Sequence, residues 1–497
     1  MANDFFCAPG GKFSRKRTIL TGFGFMATSI AWAIYDPYIT KILNRLLTES
    51  ATITAWSAKL NEAFPFLAKF AEAQGEDVNL AGGGITLVPL FIGIIMTFDN
   101  IFGVIFQPTF GKLSDNCHSK LGKRRPFIVF GAPVSAFLFG VIPWVSLSNS
   151  LPLTMLFIIL FVFSMSLWRA PVVALMPALT PPAMRSEGNA IINLMGGVGS
   201  AIGMFAGTIV GVIYKLLTGV AITADNEQIA FPYVFLTGSI VMVIGMLVIL
   251  FFVKEPSSKL DVVAAQNRAA DAAARAKAEK EAKAAEKAAR KAQKLSGAER
   301  RSLIFMLAGL FFLFCGTNAI TTFFALFAAE VLGKTTAEAT IMTTVFAVCS
   351  AIAAIPAGWL GKKIGRKKTI LIGLAVFMAA FVLYLVTRTD WIVWVVLVLG
   401  GFANMFITVN TLPLVLEIGG NDKVGTFTGY YYTATFSAQI ASPIVYGVVR
   451  MLSGSYMSLF YYSPIMFVLS LLCIFVVKHG EALPDSVIKA AEEKGND

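Results

Sequence analysis

Charge is scarce in this sequence. Asp, Glu, Lys and Arg make up 14% of its 497 residues, where soluble domains carry about 25%, so a water-soluble globular fold is not expected. Histidine is scarcer still. His118 and His479 are the only two, and both fall outside the apolar runs, which argues against a histidine proton relay within a membrane. No Ser-His-Asp set, metal-ligand cluster or phosphate-binding G-x-x-x-x-G-K-[ST] loop can be assembled, so the chain does not read as an enzyme and no cofactor is expected. The five cysteines, at 7, 117, 315, 349 and 473, are odd in number and include no C-x-x-C pair. Neither a disulfide framework nor a bound metal is indicated.

What the chain has instead is apolar length. It is 56% hydrophobic and holds 42 Phe. Runs of the length that spans hydrocarbon, about 20 residues, recur at 18–40, 82–110, 127–147, 151–180, 188–216, 231–253, 301–329, 337–360, 369–387, 391–416, 424–449 and 459–477. The expected fold class is an all-α polytopic membrane protein of twelve transmembrane helices. Six spans (1–253), an Ala/Lys/Glu-rich linker (254–300), six more spans (301–477) and a tail (478–497) form the pattern of an internal duplication. The first run follows Lys12, Arg15, Lys16 and Arg17 and has no small-residue cleavage site, so it reads as a span and not a removed signal.

Net charge is +12. In such a chain this reflects loops facing anionic lipid, and a nucleic-acid partner is not expected. The 2–3 loop carries Lys112, Lys120, Lys123, Arg124 and Arg125, and the 8–9 loop carries Lys362, Lys363, Arg366, Lys367 and Lys368. On the opposite side Ser148–Ser150 has no basic residue and the 7–8 loop has only Lys334. This asymmetry places both termini and the linker in the cytoplasm. Residues 41–80 then face outside, where Trp56, Leu60, Phe64 and Leu67 recur at helical spacing and predict an interfacial amphipathic helix.

A charge inside the bilayer costs about 2.5–3.5 kcal/mol on insertion scales and marks a pathway. Asp36, Asp99 and Arg169 are such charges. Thr28, Trp32, Tyr35 and Asp36 share one face of span 1, and Asp99, Gly103 and Gln107 share one face of span 2. Spans 7, 10 and 11 add Asn318 with Thr322, Asn404 with Thr408 and Thr411, and Tyr431 with Thr435, Gln439 and Ser442. Asp99 lies 12 residues before Gly111 and Arg169 lies 12 residues before Pro181, near the inner ends of two inward-running spans. That common depth predicts that they pair, directly or through water. The glycines of span 5, Gly199, Gly203, Gly207 and Gly211, predict close helix packing, and Ala347, Ala351, Ala354 and Gly358 of span 8 predict the same.

The loop Gly111–Pro126 resembles the cytoplasmic 2–3 signature of the major facilitator superfamily, and Gly358–Lys368 looks like its second-half echo. A fuller string runs Asp99-Asn100, Gln107-Pro108, Gly111, Ser114-Asp115 and Gly122-Lys123-Arg124-Arg125-Pro126-Phe127. It continues with Ala170–Pro177, Thr180-Pro181, Arg185-Ser186 and Asn189. That string resembles the sucrose:proton symporter branch of the glycoside–pentoside–hexuronide:cation symporters. The resemblance implies the major facilitator fold with two six-helix bundles, alternating access, and a sugar and a cation bound midway between the halves. It departs at Ala178, where sucrose symporters carry an acid implicated in proton coupling, and at Lys362, where the superfamily signature usually has Asp. Gly103 and Gln107 fall where melibiose-type sodium symporters carry two acids, which disfavours sodium.

The expected function is import of a sugar, a di- or oligosaccharide or glycoside such as sucrose or maltose, by proton symport. An uncoupled sugar facilitator and a proton-driven exporter of amphipathic compounds are the alternatives, and a non-transporting sensor is a further class. Expected substrate contacts are Trp32, Asp36, Gln107, Arg169, Asn318, Asn404, Tyr431 and Gln439. Asp99 and Asp36 are the expected proton carriers, and Asp115, Arg124, Arg125 and Arg366 the expected gating residues. The expected partners are the sugar and the lipid bilayer, with the chain acting as a monomer in a plasma membrane, that of a bacterial cell by preference.

Overall fold

The computed structural model describes residues 15–74, 84–179, 185–253, 296–419 and 424–479. Most of the linker expected over 254–300 and of the tail expected over 478–497 lies outside these residues. In hydrocarbon every backbone N–H and C=O needs a partner from the protein, and a helix supplies it from its own chain. The regular structure of the described residues is accordingly helical. The first half gives α1 (Arg15–Thr48), α2 (Ala51–Ala63), α3 (Pro65–Gln74), α4 (Val88–Ile95), α5 (Phe98–Asp115), α6 (Arg125–Ser146), α7 (Leu151–Leu179), α8 (Arg185–Thr218) and α9 (Phe231–Phe252). The second gives α10 (Gly297–Leu332), α11 (Thr336–Ile364), α12 (Arg366–Thr387), α13 (Asp390–Gly419), α14 (Val424–Ser453) and α15 (Leu459–Val476). Among the described residues 11 helical segments are long and apolar enough to cross a membrane. The twelfth expected span, α14, has the length at 30 residues, but its Tyr, Thr, Ser and Gln side chains lower its mean hydropathy.

The described residues fall into two compact units, one drawn from Met1–Pro65, Ile85–Lys294 and Ala328–Thr340, the other from Phe66–Gly84, Leu295–Phe327 and Ile341–Asp497. In the first, α1 packs on α8 and α9, α6 packs on α7 and α9, and α5 packs on α7. The glycine ridge of α8 explains the close approach to α1. A Cβ on Gly199 would run into the Met26 carbonyl, and one on Gly203 would lie 2.8 Å from Ala33 Cβ. Gly207 leaves room for Tyr38 and Ala337, whereas no described residue lies within 4 Å of a Cβ added at Gly211. Buried hydroxyls add polar ties between helices. Ser135 and Ser164 share a bond of 2.7 Å, and Trp168 Nε1 donates to Ser135 at 3.0 Å.

In the second unit α12 packs on α13 and α15, and α13 packs on α14. Ser442 donates to the Cys315 carbonyl at 2.6 Å and Ser470 to that of Gly309 at 2.8 Å, tying α14 and α15 to α10. Asn410, 3% exposed, donates from α13 to the Ala357 carbonyl of α11 at 3.1 Å.

Three expectations need correction. Ala347 and Ala351 are exposed. The face of α11 that meets α13 is instead Ser350, which donates to the Gly401 carbonyl at 3.1 Å, with Ala357 and Gly361. The outer amphipathic helix is two helices, because Pro65 lacks an N–H and drives Phe64 out of the helical region, to φ −131° and ψ 65°. Ser57 and Asn61 of α2 fasten the chain that leads into α4. Ser57 Oγ accepts from Leu87 N–H at 3.1 Å, and Asn61 exchanges two bonds with Ile85 at 2.8 and 3.1 Å. Span 2 is not one continuous helix. It tightens at Met96 and Thr97, where ψ is −7° and −12°. The Thr97 hydroxyl donates back to the Ile94 carbonyl at 2.7 Å, competing with the helical ladder.

Candidate functional site

The interruption in span 2 puts Asp99 in the first turn of α5. The N–H groups of a first turn have no intrahelical partner and favour an anion. Asn100 Nδ2 donates to Asp99 Oδ1 at 3.0 Å. Gln107 lies two turns on and folds back along its own helix, so that its Nε2 would be 3.2 Å from a Cβ on Gly103. Asp99, Gly103 and Gln107 therefore keep the common face expected of them.

Three helices bring charges to one place. Asp36 from α1, Asp99 from α5 and Arg169 from α7 lie within each other's electrostatic reach. Among the described residues no ion pair within 4.0 Å joins Arg169 to either acid, so the direct Asp99–Arg169 pair expected from their depth is not formed. The guanidinium instead lies over the Trp32 ring, 5.5 Å from its centroid, which a planar, weakly hydrated cation suits. Trp32 meets Tyr35 edge to face at 5.3 Å, and Phe161 backs both rings at 6.2 and 5.6 Å. Trp32 Nε1 and Tyr35 OH are buried and have no hydrogen-bond partner among the described residues. A buried polar group without a partner costs about 1–3 kcal/mol. Chemically the cluster offers a cation on an aromatic platform, two carboxyls and two unengaged donors.

Thr28, expected on the same face, is not available in the same way. Its hydroxyl donates to the Phe25 carbonyl of its own helix at 3.0 Å. The second unit repeats this division. Thr408, Thr411 and Thr435 donate to carbonyls of their own helices at 2.8, 3.0 and 3.1 Å. Asn404 lies on α13 and Gln439 on α14, and Asn318 Nδ2 on α10 is buried without a partner among the described residues. Tyr431 lies on α14 with its ring 5.5 Å from that of Tyr432.

Each basic loop places an arginine in an ion pair. Asp115 is the last residue of α5 and pairs with Arg124 NH2 at 2.5 Å. Arg366 opens α12 and pairs with Glu417 of α13 at 2.9 Å, with a second bond to the Pro413 carbonyl at 3.4 Å. Beside each arginine stands a second cation with another task. Arg125 donates to the Leu250 carbonyl in the last turn of α9, and Lys367 donates to the Phe475 carbonyl at 2.8 Å and the Val477 carbonyl at 2.5 Å at the end of α15. The last carbonyls of a helix have no intrahelical partner, so a cation there is stabilising. Arg125 thus holds two helices of its unit together, a role that loop charge alone did not single out.

A family model described as MFS/sugar transport protein matches residues 85–418. No curated protein matches the sequence of this chain significantly. Among solved structures the fold is similar to that of a D-xylose-proton symporter, with a TM-score of 0.59 at 15% identity over 92% of this chain and 96% of that one. It is similar to a mutant form of the nucleoside transporter NupG, with a TM-score of 0.58 at 13% identity over 93% and 98%. A third is the xylose transporter XylE from E. coli in an inward open conformation, with a TM-score of 0.57 at 16% identity over 93% and 96%. At these identities the likeness carries the fold and not the substrate.

Proposed function

The chain belongs to the MFS/sugar transport family of the major facilitator superfamily, and from that premise we propose that it is a sugar:proton symporter. The observation that carries this reading is the pair of buried, unengaged donors, Trp32 Nε1 and Tyr35 OH, beside Arg169 and two acids. A sugar ring stacks on an aromatic face while its hydroxyls need donors and acceptors in place of water. An apolar drug would leave these groups without partners, so the drug-exporter reading is the weaker one. Trp32, Asp36, Gln107 and Arg169 are the sugar contacts of the first unit. Asn318, Asn404, Tyr431 and Gln439 are the candidates in the second. Asp99 carries the coupling proton, as an acid inside a span that accepts a bond from Asn100 and lies beside Arg169. Sodium is disfavoured because Gly103 and Gln107 stand on the face of α5 next to Asp99 where a second acid would be needed, no other cofactor takes part, and the monomer suffices. Uptake of labelled mono- and disaccharides into proteoliposomes tests the proposal. Concentrative uptake of at least one sugar under an inward pH gradient is expected, and uptake of none would overturn it.

The orientation proposed has both termini on the cytoplasmic side of a plasma membrane. An impermeant maleimide added outside should label Asn149→Cys, in the turn between α6 and α7 where φ is 54°, and should leave Ala285→Cys unlabelled. Labelling at 285 from outside would reverse the orientation.

A further inference from the structure

Glu227 opens a one-turn 3-10 helix, Glu227–Ile229, in the connection between α8 and α9. It is 2% exposed. Neither sequence pattern nor the transport site accounts for a buried acid at this place. One oxygen, Oε1, is 3.1 Å from Lys41 Nζ on α1. The other, Oε2, accepts the backbone N–H of Thr336 at 2.6 Å. The acid stands on a braced platform. Gln228 accepts from Arg45 NH1 at 2.5 Å, and Arg45 NH2 donates to the Ser146 carbonyl at the end of α6 at 2.7 Å.

Thr336 is the first residue of α11. The helix start already has a capping box: Thr335 N–H donates to Glu338 Oε2 at 2.8 Å, and Glu338 N–H donates to Thr335 Oγ1 at 3.1 Å. Glu227 takes one of the two N–H groups that the box leaves over, and its charge suits the positive end of the helix. Ala337, the next residue, packs where Gly207 leaves space on α8. The segment Ala328–Thr340 belongs to the same compact unit as Glu227, yet the chain before it, Leu295–Phe327, and after it, from Ile341, belongs to the other. Any movement of that other unit during alternating access therefore pulls on the segment through the chain. Glu227 is suited to being released. When Thr336 departs, the acid keeps Lys41, so no unpaired charge is left buried.

We infer that Glu227 is a latch residue of the transport cycle, holding the start of α11 against α1 and α8 in this state and giving it up in the alternate one. The inference rests on alternating access within the proposed cycle and not on the identity of the sugar. Ala339, 1% exposed, is the reporter. Ala339→Cys is introduced into the full-length protein in right-side-out vesicles and labelled with an impermeant maleimide, against a parent without it. Glu227→Ala removes the acceptor. Thr336→Pro removes the donor while keeping a residue that a first helical position accepts. Each is expected to raise the labelling rate ~10-fold, the population shift that follows from losing one charge-assisted hydrogen bond. A static cap would lower stability without changing accessibility. Labelling no faster than in Ala339→Cys alone, in whichever variant inserts normally, would overturn the latch, as would failure of both variants to insert.

Discussion

Asp99→Asn is expected to leave sugar counterflow intact and to abolish accumulation driven by a pH gradient. One pH unit is worth about 1.4 kcal/mol per proton, which sustains ~10-fold accumulation when one proton accompanies each sugar. The variant should bring internal and external sugar to the same concentration, an accumulation ratio of about 1. Asn keeps the size and the hydrogen bonding of Asp99 to Asn100, so the local fold of α5 should persist. What it loses is the ability to change charge beside Arg169. If the variant still concentrates sugar at low outside pH, Asp99 is not the coupling acid and Asp36 takes its place.

Arg169→Ala is the second large effect. Arg169 is the cation within electrostatic reach of both Asp36 and Asp99, and it covers the Trp32 ring. Its removal leaves two half-buried carboxyls without their shared cation and uncovers the Trp32 ring. Sugar affinity, read by equilibrium binding or by Trp fluorescence, should fall ~100-fold or more. Arg169→Lys keeps the charge but loses the plane and the fork, and should fall between wild type and Ala. An Arg169→Ala protein that binds sugar as tightly as wild type would remove this cluster from the site.

Much of this was legible in the sequence because the membrane imposes few solutions. Apolar length announces a span, and basic loops announce a repeat. Asp36, Asp99 and Arg169 stood out because a charge in hydrocarbon needs a reason, and the shared level of Asp99 and Arg169 follows from depth along two helices, whereas the approach of Asp36 to both does not. The direct Asp99–Arg169 pair did not follow. Depth fixes the level of a side chain but not its direction, and Trp32 competes for the guanidinium. The interruption at Met96–Thr97 was also hidden, since a threonine that bonds back to its own helix looks like any other threonine. The roles of Arg125 and Lys367 as caps on distant helix ends depend on tertiary contacts that no local pattern encodes. Glu227 was missed for the same reason, because an acid in a short connection ordinarily faces water.

Recording the pH outside de-energised right-side-out vesicles while sugar is added tests sugar:proton symport most directly. The medium should turn alkaline on addition of a transported sugar, in proportion to the sugar that enters, and the signal should vanish with Asp99→Asn while sugar still equilibrates. Entry of sugar into wild-type vesicles without any change in outside pH would contradict symport and leave an uncoupled facilitator.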